Sequence, residues 1–453
     1  MRVNVPLHVF RAYDIRGIYG EELTPELMSV VGSAAAEYES SDFVVGCDTR
    51  SSSPLLKLAL ASGIMASGAS VTDVGTVPIG AMFFSTVELK LGAMAYVTAS
   101  HLPPEWNGVK LCHSDGLYFA PDEIRRVGEI AAEGSFSRPN WRGVGCLKLR
   151  DVLREYEEFL VNTVSGAELR VILDLGNGAT SLVAPRAFRR LGFDVSTLFE
   201  DVDPAFSGRG AEPRPECLSE LSRAVVSRRA DVGVAYDGDG DRAVFTDERG
   251  RPLMPEQVAV LLAEGGLRGT IVASADCSSL LERYAEEAGI KVIRVPVGHT
   301  YMVRKVIETG AAIGVEHSGH VTIGRFSKFD DGILASLVVC SVAASLGRPV
   351  SKLVPEPPRS RRVKVRVDER LKFRVVSELV REYEREFGEV DTTDGVRISA
   401  EDYWVLVRAS NTEPVVRIAV EAENESLLDN LVKKFTEDVE RVYRKLRREG
   451  AEP

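Results

Sequence analysis

The chain is 453 residues long and carries a formal net charge of −11. That length exceeds what one hydrophobic core supports, and the acidity argues against a nucleic-acid partner, so several domains are expected and any phosphate must be met by a local basic pocket. Six cysteines, at 47, 112, 146, 217, 277 and 340, form no CxxC pair, which leaves neither a zinc cage nor a dense disulfide framework.

The opening "MRVNVPLHVFRAYDIRG" lacks the apolar core and cleavage site of a secretory signal. The longest near-continuous apolar run, "GILASLVVCSVAASLG" from 332, is interrupted by Ser and shorter than a bilayer requires, so it reads as a buried helix. A cytoplasmic protein without a membrane partner is expected. One Gln and eight Asn beside many Arg and Glu is a bias that suits a hot habitat.

Along the chain, "DFVVGCDTRSSS" (42–53), "LRVILDLGNGATS" (169–181) and "GTIVASADCSS" (269–279) share one pattern: a short apolar run, then small polar residues, then a helical periodicity. A further apolar run follows each ("SVTDVG", "FDVSTLF", "IKVIRV"), which predicts βαβ units with parallel pairing and one domain type used three times. Joints are expected at "EGSFSRPNWRGVGC", near "DERGRP", and at the Pro-rich basic stretch "SLGRPVSKLVPEPPRSRR". The expected domains are therefore 1–145, 146–250, 251–355 and 356–453. The last reads as a smaller α+β unit in which "YWVLVRA" and "VVRIAVEA" pair as strands.

Four stretches carry chemistry. "TASHLPPEWNGVKL" (98–111) sets Ser100 beside His101 on a loop that its prolines and Gly keep from being helical. "YDGDGDR" (236–242) follows an apolar run and spaces Asp237, Asp239 and Asp241 two apart with Gly between, so that one tight turn can aim three oxygens at a hard cation. An EF-hand would also place acids at its first, third and fifth positions and Glu248 at its twelfth. Arg242 stands where that loop needs Gly, and "RAVFTD" reads as a strand. Mg²⁺ is the expected ion, three protein ligands leaving room for a phosphate oxygen.

"GVEHSGH" (314–320) gathers a carboxylate, a hydroxyl and two imidazoles in a Gly-flanked loop suited to vicinal sugar hydroxyls. "RASNTEPVVR" (408–417) brackets a Ser-Asn-Thr turn with two arginines, a plausible phosphate clamp, although a hairpin with ordinary surface arginines has the same local pattern. Together with a loop serine, these features point to phosphoryl transfer through Ser100. A serine hydrolase is disfavoured because no GxSxG elbow surrounds Ser100.

Taken in order, "FRAYDIRG", the Ser100 loop, "DGDGDR", "GVEHSGH" and "RASNTEP" resemble the α-D-phosphohexomutase family, and within it the phosphomannomutase/phosphoglucomutase branch. The resemblance implies an α/β chain of four domains around a central cleft: three related α/β domains with mixed sheets and a C-terminal TATA-binding-protein-like α+β domain. It implies a phosphoserine at Ser100, with Asp237, Asp239, Asp241 and the serine phosphate holding Mg²⁺. Lys110 becomes the candidate general base, Arg16 a basic residue near the reacting hydroxyl, His320 a second acid/base, and His101 and Arg242 further catalytic contacts. Tyr13, His299, Glu316 and Ser318 are the implied sugar contacts, and Arg408, Ser410, Asn411, Thr412 and Arg417 the phosphate contacts.

The implied reaction interconverts hexose 1-phosphate and hexose 6-phosphate of glucose or mannose, through a 1,6-bisphosphate that also serves as activator, in a monomer or homodimer. A phosphoglucosamine mutase is the alternative, with a Mg²⁺-dependent sugar phosphatase behind it. Leu102 follows the Ser-His pair where the family usually has Asn, Glu212 and Arg214 flank prolines in place of a common Asn-Pro, and Asp276 stands where a basic substrate contact is expected. These departures bear on the choice of sugar.

Overall fold

The computed structural model describes residues 3–327, 329–411 and 413–449. Its first sheet contains β1 (Ile15–Ile18), β2 (Phe43–Cys47), β3 (Val71–Thr76), β4 (Ala93–Val97), β5 (Trp106–Cys112) and β6 (Leu147–Leu149), in the order β1-β5-β4-β2-β3-β6. The second holds β7 (Arg170–Asp174), β8 (Asp194–Leu198), β9 (Val232–Tyr236) and β10 (Ala243–Thr246), ordered β10-β9-β7-β8. The third holds β11 (Ile271–Ser274), β12 (Val292–Val295), β13 (Ile313–Val315) and β14 (Val321–Ile323), ordered β12-β11-β13-β14.

One four-strand unit underlies all three. Its first strand pairs in parallel with the second and third, and the fourth returns antiparallel against the third. The expected parallel pairs are present: "DFVVGC" with "SVTDVG", "LRVILD" with "FDVSTL", and "TIVAS" with "KVIRV". The sheets are mixed because each unit closes on an antiparallel hairpin. That connection, between third and fourth strands, carries Ser100 in the first unit, Asp237–Asp241 in the second and Glu316–His320 in the third. Repetition of the fold therefore brings three different chemistries to equivalent places.

The fourth sheet contains β15 (Arg359–Arg366), β16 (Val396–Ser399), β17 (Tyr403–Ala409) and β18 (Val415–Ala422), ordered β15-β18-β17-β16 and wholly antiparallel. Helices Lys372–Phe387 and Glu425–Glu449 cover it, burying Val375, Leu379, Tyr383, Phe435 and Val439 in a core of their own. The β17–β18 connection carries "SNTEP".

One continuous apolar core runs through the first three units, from Val44 and Phe83 through Phe188 and Tyr236 to Ile313 and Val350. The run from 332 is a helix, Gly332–Leu346, buried along nearly its whole length as expected, because it packs between sheets rather than on a surface. Among the described residues, a small buried cluster of Ala275, Trp404, Leu406 and Ala419 joins the third unit to the fourth through apolar contact. Among the described residues, no helix is long and apolar enough to cross a membrane.

Candidate active site

The chain leaves β4 at Val97 and turns back before β5, and Ser100 lies in that turn at φ +51, the left-handed region that L-residues adopt at a cost of about 1–3 kcal/mol. A buried cation holds the turn. All five N–H donors of Arg50 are engaged: Nε to Asp48 Oδ2 at 3.0 Å, Nη2 to the carbonyls of Ser100 (2.8 Å) and Leu102 (2.7 Å), and Nη1 to those of Pro103 (2.6 Å) and Trp106 (3.1 Å). The Ser100 N–H donates to Thr98 Oγ1 at 2.8 Å. Thr98 Oγ1 also lies within hydrogen-bond distance of Asp48 and Asp239, tying the turn to the neighbouring unit.

Ser100 is 1% exposed. Its Oγ donates to Asp237 Oδ2 at 2.7 Å, and the ring of His101 approaches at 3.3 Å. Burial, together with Arg242 and Arg16, keeps the His101 imidazole well below its usual range and hence neutral.

Asp237, Asp239 and Asp241 all turn inward, with one oxygen from each within 4.8 Å of the others. Their loop is gripped by backbone N–H groups from three units: Ile79 N and Ala179 N donate to the carbonyls of Asp239 and Gly238, and Gly332 N donates to that of Gly240, each at 2.9–3.0 Å. Gly238 allows the closest approach, since a Cβ there would lie 2.6 Å from the Ser100 carbonyl oxygen. Burial first, then the other two carboxylates, pushes Asp237 well above the ordinary aspartate range; burial and Asp241 also raise Asp239. Against the same burial, Lys110, His320 and Arg242 hold Asp241 ionised.

Two buried oxygens, Asp239 Oδ1 and Asp241 Oδ1, have no hydrogen-bond partner among the described residues. Hard, crowded and under-satisfied oxygens of this kind fit a divalent cation such as Mg²⁺. Glu248, which an EF-hand would need as a ligand, instead accepts from Ser351 N and Oγ.

Lys110 projects from β5 into the same loop, with Nζ 2.9 Å from Asp239 Oδ2 and 2.5 Å from Asp241 Oδ2. Burial opposes its charge, but the two carboxylates prevail and raise its pKa above the usual lysine range. As placed, the group expected to be a base is a firmly held ammonium.

A cleft of about 540 Å³ opens in front of this floor and draws its walls from all four units. Tyr13, Arg16, His101, Arg242, His299, Glu316, Ser318, His320, Arg408, Ser410, Asn411 and Arg417 line it, so the structure brings together the residues expected there. Ser100, Lys110 and the three aspartates are buried and meet this lining through His101, 3.3 Å from Ser100 Oγ, and Arg242, 3.7 Å from Asp241; Thr412 falls outside the described residues. Arg16 is fixed by Asp14 at 2.6 Å. Asn411 Nδ2 donates to Tyr13 OH at 2.7 Å, and Tyr13 OH donates to Val297 O at 3.1 Å, so Tyr13 links the first, third and fourth units.

His299 and His320 stack with centroids 5.2 Å apart yet titrate apart. Burial, with His320 and Lys110 adding to it, keeps His299 neutral. Burial also disfavours charge on His320, but Asp241 and Asp330 overcome it and raise that pKa to about 8. Its Nδ1 lies 3.3 Å from Asp330, and Nε2 accepts from Arg242 Nε at 3.1 Å, so a proton gained at Nε2 displaces Arg242. Two adjacent imidazoles separated in this way can hold different protonation states near neutral pH. Burial also raises the Glu316 carboxyl.

Sequence reading did not single out Arg50 and Asp48, although "DTR" at the end of the first βα strand was the available signal. It also passed over Arg362 and the contact between His317 Nδ1 and Glu256 Oε1 at 3.3 Å. Arg362 and His317 both line the cleft.

Four family models match the chain in succession. They are described as phosphoglucomutase/phosphomannomutase alpha/beta/alpha domain I (residues 7–138), domain II (151–250), domain III (255–360) and the C-terminal domain (363–438). A "probable phosphoglucosamine mutase" of Pyrococcus horikoshii is 36% identical over 447 residues, covering 96% of this chain and 99% of that protein. A phosphoglucomutase/phosphomannomutase of Thermococcus kodakarensis is 36% identical over 433 residues, covering 92% and 95%. The crystal structure of a phosphoglucomutase/phosphomannomutase family protein from Burkholderia thailandensis matches with a TM-score of 0.89 at 29% identity, covering 97% and 98%.

Proposed function

Because the chain belongs to the phosphoglucomutase/phosphomannomutase family, we propose that it interconverts the 1- and 6-phosphates of a hexose or hexosamine through a phosphorylated Ser100. The hydrogen bond from Ser100 Oγ to Asp237, buried beside a cleft that Arg408 and Arg417 help to line, is the observation that carries this reading.

In the forward step the Oγ–P bond breaks, a bond forms from phosphorus to the free sugar hydroxyl, and the hydroxyl proton passes to a group in the cleft. The resulting bisphosphate turns over and returns its other phosphate to Ser100. Bisphosphate added in trace amounts supplies the first phosphoryl group. Asp237, Asp239, Asp241 and the Ser100 oxygen would hold Mg²⁺, which when bound neutralises phosphate charge and polarises the P–O bond.

The chain's own groups do the rest. Arg50 fixes the serine turn. Arg16 and Arg242 face the reacting end of the substrate, and Arg408, Ser410, Asn411 and Arg417 retain the distant phosphate. Glu316 and Ser318 read hydroxyls, beside Tyr13 and His299. His320, poised near neutrality, exchanges protons with the sugar oxygen. Lys110 starts as an ammonium, so its part in proton transfer begins with donation or with loss of its carboxylate partners. A cleft walled by all four units also limits water, which would otherwise hydrolyse the phosphoserine.

For the sugar, the names of the relatives favour the phosphoglucosamine mutase alternative over the glucose and mannose reading, because most of the highly similar proteins carry that name. The Thermococcus kodakarensis relative supports glucose and mannose as the second reading. Glucosamine, glucose and mannose 1-phosphates, each with catalytic bisphosphate, test both in a coupled assay. The highest kcat/KM identifies the sugar, and release of inorganic phosphate without 6-phosphate formation would turn the reading into a phosphatase.

A further inference from the structure

Strand register arranges one face of the fourth sheet in rows. Lys364, Arg417 and Arg408 stand directly opposite one another across β15, β18 and β17; the next row on that face is Arg362, Ala419 and Leu406, and the one after it Ser360, Glu421 and Trp404. The segment following β11 lies along these rows. Ala275 packs on Leu406, Ala419 and Trp404, Glu421 accepts from the hydroxyls of Ser278 and Ser279, and Arg362 donates to Asp276 through Nη1 to Oδ2 at 3.2 Å and Nη2 to the carbonyl at 2.7 Å. Arg397 Nη1 donates to Ala275 O at 2.5 Å from the adjacent strand.

Among the described residues, two carboxylates serve the three cations of the first row, Glu413 being shared between Lys364, at 3.0 Å, and Arg417. Like charges opposite one another destabilise a sheet. Here Arg408 meets Asp394 at 3.4 Å, Arg417 pairs with the partly exposed Glu413, and Arg362 has Asp276. Burial and the neighbouring Arg408 and Arg362 weigh against the charge on Arg417. Arg362 lines the cleft with Arg408 and Arg417, its side chain is 35% exposed, and its two bonds to Asp276 use only two of the five N–H donors of a guanidinium.

Resting on the phosphohexomutase reading, we propose that Arg362 is a third phosphate-binding guanidinium of the clamp, and that Asp276 is the positioning residue holding it there. The fourth unit thereby contributes a substrate ligand whose orientation is set by the third. An incoming phosphate meets Arg362 on the donors that Asp276 leaves available, and docking of the two units and assembly of the clamp become one event.

The test uses the full chain carrying Ser100→Ala, which stops turnover, titrated calorimetrically with glucosamine 6-phosphate and glucose 6-phosphate. Adding Arg362→Gln is expected to weaken binding about 10- to 100-fold, the worth of a charge-assisted hydrogen bond. Asp276→Asn breaks the same ion pair but keeps the guanidinium charge, so its loss is expected to be at least about threefold smaller, while thermal unfolding shifts similarly in both variants. Equal losses of affinity would make the pair a strut between units and overturn the assignment, as would no effect of Arg362→Gln in a parent that binds. A parent that binds no sugar phosphate overturns the phosphohexomutase reading, and this proposal with it.

Discussion

Ser100 Oγ and Asp237 Oδ2 are 2.7 Å apart across two different sheets, joined by a hydrogen bond in which the serine is the donor. The nucleophile candidate and the cation-site candidate are thus one connected structure. Ser100→Ala should lower mutase turnover by about 10³-fold or more, as removal of a covalent nucleophile does, while sugar phosphate binding measured by calorimetry changes only severalfold. Retained turnover would exclude a phosphoserine route.

Arg50 is the second point of control over Ser100. Arg50→Ala strands the Asp48 carboxylate in a buried site and frees four carbonyls, and an orphaned buried charge of this kind costs about 3–5 kcal/mol. Denaturant unfolding should report that loss. Arg50→Lys should recover part of the stability but little turnover, because an ammonium cannot reach all five acceptors at once.

Cation binding should register in stability as well as in rate. A divalent ion at 100 times its Kd adds about 2.7 kcal/mol to the native state, so chelation should lower the Tm and Mg²⁺ should restore it. In Asp239→Asn this shift should shrink. A wild-type Tm indifferent to both treatments would argue that Asp237, Asp239 and Asp241 hold no ion.

Gly238→Ala isolates contact distance from charge. The added Cβ would lie 2.6 Å from the Ser100 carbonyl oxygen, so the two loops must part. Turnover should fall at least about tenfold with little change in KM, since the distant clamp is untouched. A change in KM alone would place the constraint elsewhere.

His113 offers a pH signature remote from the cleft. Hydrogen bonding to Glu39 first, and to Glu123, outweighs burial and raises its pKa to about 9. Because the folded value lies above the unfolded one, near 6.5, this stabilisation is complete below about pH 6.5 and fades as pH rises through 9. The stability difference between wild type and His113→Gln should therefore narrow from pH 6.5 to pH 10. A constant difference would assign the effect to packing against Phe119.

Much of the site was legible because its chemistry is local. Alternating Asp and Gly can do little besides turn tightly and present oxygens, and the Val- and Ile-rich runs, each followed by a helical pattern, mark parallel strands by their spacing alone. What escaped was set at long range. "EWNGVKL" does not advertise a strand, yet β5 pairs with both β4 and β1, and Gly108 makes room for Ile15 O, which would lie 2.1 Å from a Cβ there. Arg50 resembles any polar residue after a strand until the carbonyls of residues 100 to 106 close around it. The protonation of Lys110 depends on carboxylates more than 120 residues away in sequence, which no periodicity reveals.

The backbone N–H groups of Ile79, Ala179 and Gly332 that converge on residues 238 to 240 carry a consequence for how such a protein can change over time. No single unit contains the environment that shapes the Asp237–Asp241 turn, so exchanging one unit for a homologous one from another chain keeps the turn where the incoming backbone presents its N–H group at the same place. Recombination at the joints between units is therefore constrained by backbone placement at this junction. Diversification is channelled into cleft-facing side chains such as Asp276, His317 and Arg362, which can vary without disturbing that three-way junction.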